Sequence, residues 1–474
     1  MLIRFEVENF RSMREPAELS MVAVDDERPI TRAQTNLPAS LVPAAGVFGP
    51  NASGKSNILA AMLWVSDAVR TSLRSWDEEI PVEPFLFGDA KDSDSSFVIE
   101  MTVSGVRFDY YLDIGRHSVS FEALYHYPAG RRRKLFEREG NELTLQRGLG
   151  ELSGTRALLT DRTLALSIMR RFDEPHTSGF AHELLKMTPL GKQFEGTSRL
   201  PELERQSTLS LFDGAADQQM DLFDAFDDAE LDTMFDGEEK LKVRGRAERR
   251  HNALTLLRMA DLGISDVEIA KGPAIRAGRV STGGARKNAQ LVHEISGERV
   301  AFEFAAESAG TREWFNLIGP ILAAIENGSV VLFDEIDSSL HPTLTAQLVK
   351  FFQDPSSNPN DAQLIFTAHD TNLLNRLNRD EIWLTEKGPG GATRFGALAD
   401  YAGESVRRSR NIEAGYLSGR FGALPDVSRP EVLRELGLIG RALEHVETKK
   451  VAEAHDRDEG RSRDVSDLRG GCSD

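Results

Sequence analysis

The 474 residues, with 40% hydrophobic and 28% charged side chains, 39 Gly and 19 Pro, have an ordinary globular composition that excludes collagen-like, mucin-like and wholly disordered chains. Lys and Arg total 57 against 75 Asp and Glu, and the resulting net charge of −18 argues against a surface that binds nucleic acid or anionic membrane over its whole extent. The single cysteine, Cys472, excludes an intrachain disulfide or a Cys-rich metal site and points to a reducing, cytoplasmic setting; no stretch approaches the ~20 apolar residues of a membrane span.

Along the chain, Leu2 to Phe10 alternates Ile3, Phe5 and Val7 with Arg4, Glu6 and Glu8, which predicts a half-buried strand and does not resemble a secretory signal. Ala44 to Phe48 is a short apolar run ending at Gly49, and Ile58, Leu59, Met62, Leu63 and Val69 recur at helical spacing. That segment reads strand, glycine loop, helix. Phe97 to Val103 and Val106 to Ile114 predict a hairpin around Ser104-Gly105, with a further strand at Val119 to Tyr127. Residues 1–150 are therefore expected to form an α/β lobe with an antiparallel portion.

From 151 to 262 the pattern is helical and polar, as in Ala181 to Met187 and Ala253 to Leu262. Within it, Pro201 to Lys240 carries 13 acidic residues against Arg205 and Lys240, interleaved with Leu211, Phe212, Leu222, Phe223, Phe226, Leu231, Met234 and Phe235. Two readings stay open: a solvated insertion, or a docking tract for a basic partner. A second lobe is expected over 263–400. Its predicted elements are strands at Val267 to Ala270 and on either side of Ser296-Gly297, a helix at Thr311 to Glu326, an apolar strand at Ser329 to Phe333, a helix at Leu344 to Phe352 and a strand at Gln363 to Phe366. Residues 401–474 read as an extension with a frayed tail.

Gly49-Pro50-Asn51-Ala52-Ser53-Gly54-Lys55-Ser56 fulfils GxxxxGK[ST] in the strand–loop–helix context that this motif needs. Glycines let backbone N–H groups converge on phosphate oxygens, and the helix N-terminus adds partial positive charge. Lys55 is expected to reach the β- and γ-phosphates of ATP, and the Ser56 hydroxyl to bind Mg²⁺. Gly49, Asn51, Ser53, Gly54, Lys55, Ser56 and Asn57 are the expected nucleotide contacts. Val330-Val331-Leu332-Phe333-Asp334-Glu335 ends four apolar residues with two carboxylates, as a buried strand presents acids at its C-terminal edge. Asp334 is the expected second Mg²⁺ ligand and Glu335 the general base. Ser308 and the Gly310 amide open an amphipathic helix and suit an anion. His369 follows a buried strand, where its imidazole is placed to donate to a γ-phosphate.

About 280 residues separate Lys55 from Asp334, a spacing that fits a phosphate-loop core split into two lobes with an insertion between them. Taken together, Asn9-Phe10-Arg11-Ser12, the phosphate loop, Glu307-Ser308-Ala309-Gly310-Thr311-Arg312, the stretch from Val330 to Pro342 and Phe366-Thr367-Ala368-His369-Asp370 resemble the AAA-15/AAA-21 group of ATPases. These stand with the RecF, SMC and OLD branch of ABC-type ATPases. Tyr416 to Pro425 is similar to a closing segment of RloA- and AbiL-like members, ATPases of anti-phage, abortive-infection systems.

The resemblance implies an ABC-type ATPase head and a homodimer, open to higher oligomers, in which ATP is sandwiched between Lys55 of one protomer and Ser308 of the other. It also implies a separate nuclease or toxin effector. Ala309-Gly310-Thr311 departs from the Gly-Gly pair and acidic residue of transporters and SMC proteins. The alternative is a RecF-like DNA-binding repair ATPase, for which Arg131 to Lys134, Arg244 to Arg250 and Arg407, Arg408 and Arg410 are candidate contacts.

Overall fold

The computed structural model describes residues 1–191, 194, 207–212, 237–276, 279–338, 340–388, 390–400 and 411–421. All of them belong to one compact unit, Met1–Leu424; a second unit, Pro425–Asp474, lies outside the described residues, as do most of the acidic tract, Arg407, Arg408, Arg410, Ser339 and Cys472.

The architecture is mixed α/β, with three sheets among the described residues. The first is antiparallel and seven-stranded, built from β1 (Leu2–Glu8), β2 (Ala17–Ser20), β4 (Ser95–Val103), β5 (Val106–Ile114), β6 (Val119–His126), β7 (Arg133–Glu139) and β8 (Glu142–Leu145) in the order β2-β1-β4-β5-β6-β7-β8. The hairpin around Ser104-Gly105 forms as its spacing predicts: both turn residues have positive φ, at 49° and 74°. The basic run at Arg131 to Lys134 leads into β7, where Arg132 lies 3.7 Å over the Tyr125 ring and Lys134 pairs with Glu137.

The second sheet has six strands in the order β16-β15-β3-β14-β13-β9: β3 (Ala44–Phe48), β9 (Thr188–Leu190), β13 (Val330–Phe333), β14 (Gln363–Thr367), β15 (Ile382–Lys387) and β16 (Thr393–Ala397). All neighbours are parallel except β16, which runs antiparallel to β15. Every residue of β3, β13 and β14 is buried, the double-faced burial of a parallel sheet and the reason these runs lack alternation.

The two faces enter different cores. Ala45, Val47, Val330, Leu332 and Ile365 pack into the cluster that holds α1 (Lys55–Ser75), α2 (Ala165–Met169) and α3 (Pro175–Leu185) beneath the antiparallel sheet. Ala44, Phe48, Val331, Phe333, Leu364 and Phe366 pack into the cluster with α4 (Gly237–Ala260), α5 (Ala309–Asn327) and α6 (Pro342–Gln353). The third sheet is the antiparallel β10 (Ile264–Arg276), β11 (Arg279–Ile295) and β12 (Glu298–Glu303).

One strand departs from the sequence expectation. The stretch from 151 to 262 reads as helical, yet Thr188–Leu190 pairs in parallel with Val331 to Phe333 as an edge strand. Three residues are too few to show a period, and Pro189, which lacks an N–H, fits a sheet edge.

Candidate nucleotide pocket

The strand order places the site. β14 lies between β3, which leads into the phosphate loop, and β13, which ends in Asp334 and Glu335. Parallel strands carry their C-terminal ends to one edge of the sheet, so Lys55, Asp334 and the residues after Thr367 converge there.

The loop from Gly49 to Gly54 turns through left-handed backbone at Ala52 and Gly54, with φ of 60° and 102°. A Cβ on Gly54 would drive into Thr393 Oγ1 and Ser12 Oγ, so the close approach there requires glycine. α1 starts without a side-chain cap and with no acidic residue in its first turn, which leaves its N-terminal amides suited to phosphate oxygens. Beneath the loop, Ser53 Oγ donates to Pro50 O at 2.8 Å and meets Thr385 Oγ1 at 2.6 Å. Thr393 Oγ1 donates to the Ser53 carbonyl at 2.7 Å, and Ser12 Oγ lies 2.7 Å from that same hydroxyl and accepts from Asn57 Nδ2 at 2.6 Å.

Lys55 is buried, and its Nζ donates to Gly49 O at 2.9 Å and Pro50 O at 3.0 Å. Burial pushes its pKa below the ordinary 10.5, against the pull of Glu335, Asp337 and Asp334 in the opposite direction. Ser56 Oγ donates to Asp334 Oδ1 at 2.6 Å, and Thr367 Oγ1 donates to the same oxygen at 2.8 Å. A serine hydroxyl held against a carboxylate is an all-oxygen donor pair of the kind that binds Mg²⁺ together with phosphate oxygens, so Ser56 and Asp334 fit that ion.

Glu335 follows in left-handed backbone, at φ 53°, with its amide donating to Thr367 Oγ1 at 2.7 Å and its carbonyl accepting from Ser338 N at 2.9 Å. The Asp337 carboxylate accepts from the main-chain amides of His369, at 2.8 Å, and Asp370. The His369 ring lies with Nδ1 3.5 Å from Lys55 Nζ and Nε2 3.9 Å from Glu335 Oε1. Both His369 and Glu335 are about two-fifths exposed, so they face the opening rather than the core.

Asn51, Gly54, Lys55, Ser56, Asn57, Glu335 and His369 line one open pocket of about 360 Å³, joined by Ser12, Ala52 and Lys387. Asp334 lies buried at its floor under Ser56, while Gly49 and Ser53 support the loop against Thr385. Ser308 and Gly310 are not among the residues of this pocket: Ser308 is exposed and caps α5, its hydroxyl accepting from Thr311 N at 3.1 Å. Sequence reasoning missed Ser12, Thr367, Thr385, Thr393 and Lys387. The available signal was a threonine at or near the end of otherwise apolar strands, in Leu364-Ile365-Phe366-Thr367 and Ile382-Trp383-Leu384-Thr385.

Among solved structures, the chain resembles an SMC head domain from Thermotoga maritima, at 12% identity and a TM-score of 0.38, over 84% of this chain and 98% of that one. It also resembles an SMC head crystallised with the C-winged helix domain of ScpA, at 13% identity and a TM-score of 0.40, over 84% of this chain and 97% of that one. No curated protein matches. Residues 44–165 and 196–375, more than half of the chain, match a family model described as "AAA domain, putative AbiEii toxin, Type IV TA system". The matched stretches hold the phosphate loop, Ser308, Asp334, Glu335 and His369, and the chain belongs to this AAA-21 family.

Proposed function

We propose that the protein is an ATP-hydrolysing ABC-type switch, the sensor or regulator ATPase of an anti-phage, abortive-infection system of the RloA or AbiL kind. The observation that carries the catalytic part is the convergence of Lys55, Ser56, Asp334, Thr367, Glu335 and His369 at one sheet edge. In this reading the amides at the start of α1 and Lys55 bind the phosphates, while Ser56 and Asp334 hold Mg²⁺, which when bound supplies charge neutralisation at the phosphate oxygens. Glu335 takes the proton of the attacking water, and His369 hydrogen-bonds the terminal phosphate.

Exposed Ser308 and half-buried Gly310 at the start of α5 belong to the surface that a second protomer's nucleotide would meet, so two chains pair head to head and hydrolysis reopens them. The lobes 1–150 and 263–400 form the head together with α2, α3 and β9 from 151–262, the rest of 151–262 being the insertion and 401–474 the extension. The family description, which names a putative toxin of a Type IV TA system, supports the defence assignment, and the resemblance to RloA- and AbiL-like ATPases is what implies a separate nuclease or toxin as partner. The DNA-clamp alternative depends on basic runs of which three described members are engaged within the chain: Arg132 on Tyr125, Arg249 with Glu326 and Arg250 with Asp266.

Phosphate release from Mg·ATP tests the catalytic part. The wild type should turn over and Lys55→Ala should lose nucleotide binding; equal turnover in the two proteins would sink the reading. Light scattering with ATP should show a dimer that Ser308→Arg disrupts. Co-purification from the native host should recover a nuclease or toxin, and a salt series of DNA-stimulated turnover would favour the clamp instead.

A further inference from the structure

Asp261, His293 and Glu307 each bring one potential ligand atom to within 4.8 Å of the other two, outside the nucleotide pocket. Asp261 directly follows α4, and its Oδ1 accepts from Gly263 N at 2.9 Å, which fixes the carboxylate. His293 stands on β11, edge-on to Phe302 at 5.0 Å, with Nε2 2.9 Å from Glu307 Oε1. Glu307 is the residue before Ser308. Its side chain is 8% exposed and that of His293 15%, so both have left most of their hydration shell behind.

We propose that Asp261, His293 and Glu307 form a binding site for a divalent transition-metal ion of the zinc class. Ligand atoms about 2.1 Å from a shared ion stand about 3.0–3.4 Å apart, and the His293–Glu307 separation of 2.9 Å lies just under that spacing. Asp261 supplies the third side, its ligand atom lying within 4.8 Å of the other two. Two carboxylates beside an imidazole nitrogen attract a dication, and the nitrogen ligand selects Zn²⁺ or Co²⁺ over Mg²⁺ and Ca²⁺, which take oxygen. With three protein ligands the ion keeps room for water. It would pin the end of α4, the strand β11 and the approach to α5 at one point, and so fix the segment that presents Ser308.

Chelator-stripped protein held in excess Mg²⁺, which keeps the phosphate-loop site filled, is titrated with Zn²⁺ by calorimetry and with Co²⁺ by visible absorption. One equivalent per chain should bind, with Co²⁺ showing d–d bands of a nitrogen-and-oxygen site. Asp261→Asn, His293→Ala and Glu307→Gln should each weaken Zn²⁺ binding about tenfold or more, while Ser56→Ala leaves it unchanged. Circular dichroism identifies any variant that fails to fold, and the near-isosteric Asp261→Asn and Glu307→Gln then decide. No stoichiometric uptake by the wild type, or undiminished uptake by the folded variants, overturns the proposal and leaves His293 and Glu307 as an ion pair only.

Discussion

Thr367 bridges the two acids at the end of β13: its hydroxyl donates to Asp334 Oδ1 at 2.8 Å and accepts the Glu335 amide at 2.7 Å. The side chain is wholly buried, so the two bonds leave its hydroxyl no slack. Thr367→Val keeps the shape and removes both. Asp334 loses one of the donors that orient it, and the Glu335 amide is left without its partner, at about 1–3 kcal/mol of stability. ATP turnover should fall about 10–100-fold with nucleotide affinity little changed, because the variant disturbs orientation at the reacting end and not the phosphate loop. Steady-state kinetics beside equilibrium nucleotide binding checks this; an equal loss in both would mean that Thr367 serves the loop instead.

Glu335 occupies left-handed backbone, where a side chain bearing a Cβ is strained by about 1–2 kcal/mol. The strain is held by Thr367 on one side and the Ser338 amide on the other. Glu335→Gly relieves it and should raise unfolding stability by about 0.5–1 kcal/mol once the larger entropy of unfolded glycine is set against the gain. Glu335→Gln keeps the strain and should leave stability unchanged. Both should abolish hydrolysis, and the Gln variant should accumulate an ATP-bound dimer. Denaturant melts with phosphate release separate the effects; a less stable Gly variant would show that the backbone there is not under load.

Gly54 is the tightest point of the loop. Gly54→Ala places a methyl group on Ser12 Oγ and Thr393 Oγ1 in a backbone conformation, φ 102°, that alanine resists. Loss of nucleotide binding and about 2–3 kcal/mol of stability are expected. Adding Thr393→Ala and Ser12→Ala removes both steric contacts and leaves φ unchanged, so the combined variant should recover part of the stability and little of the binding. Full recovery would assign the whole effect to the clash and none to φ.

The Lys55 ammonium loses hydration on burial, and its pKa in the folded protein lies below the ordinary 10.5. The unfolded chain therefore holds this proton to higher pH than the folded one. Between the folded pKa and 10.5 the unfolded state binds more protons, so stability rises with pH. The penalty is fully present below the folded pKa and vanishes as pH approaches 10.5. Relative to Lys55→Met, the nucleotide-free wild type should gain melting temperature across the alkaline range. A difference that stays flat from pH 7 to 10.5 would show that the depression is absent.

How far the site was legible follows from sequence distance. The phosphate loop, α1 and the acids after β13 each lie in one short segment whose apolar run and terminal residues announce them. The bridges that hold those pieces together do not. Ser12 meets Thr393 across 381 positions, Thr393 meets Ser53 across 340 and Ser53 meets Thr385 across 332, so each hydroxyl alone looks like an ordinary strand or turn residue. Thr367 was in view beside His369, yet its role depends on β14 lying next to β13, a matter of strand order that periodicity does not encode. Likewise Pro189 disguises β9, whose Leu190 carbonyl accepts the Asp334 amide at 2.9 Å and helps fix the acid.

Arg138 is wholly buried and ties the antiparallel sheet to the helical layer: it donates from Nε to Gly140 O at 2.6 Å, from Nη2 to Thr160 O at 2.7 Å and from Nη1 to Thr163 O. Its Nη1 also lies 3.7 Å from Glu122 Oε2, and the Glu122 carboxylate accepts from Ala165 N, Leu166 N and Tyr110 Oη. Burial raises the Glu122 pKa above 4.5, while Arg138 pulls it back. Arg138→Met leaves that carboxylate buried without its cation and should destabilise the protein by about 3–5 kcal/mol at neutral pH. The sign of the pH dependence is opposite to that of Lys55. The folded state here binds the proton more readily than the unfolded one, so stability falls as pH rises above 4.5 and the penalty is complete above the folded pKa. Without Arg138 that window extends further upward. The deficit of Arg138→Met should therefore shrink as pH is lowered toward 4.5, and Glu122→Gln in the same chain should recover much of it at pH 7. Melts of the two single variants and the double from pH 4.5 to 8 check both expectations; a deficit independent of pH would place the role of Arg138 in its carbonyl contacts alone.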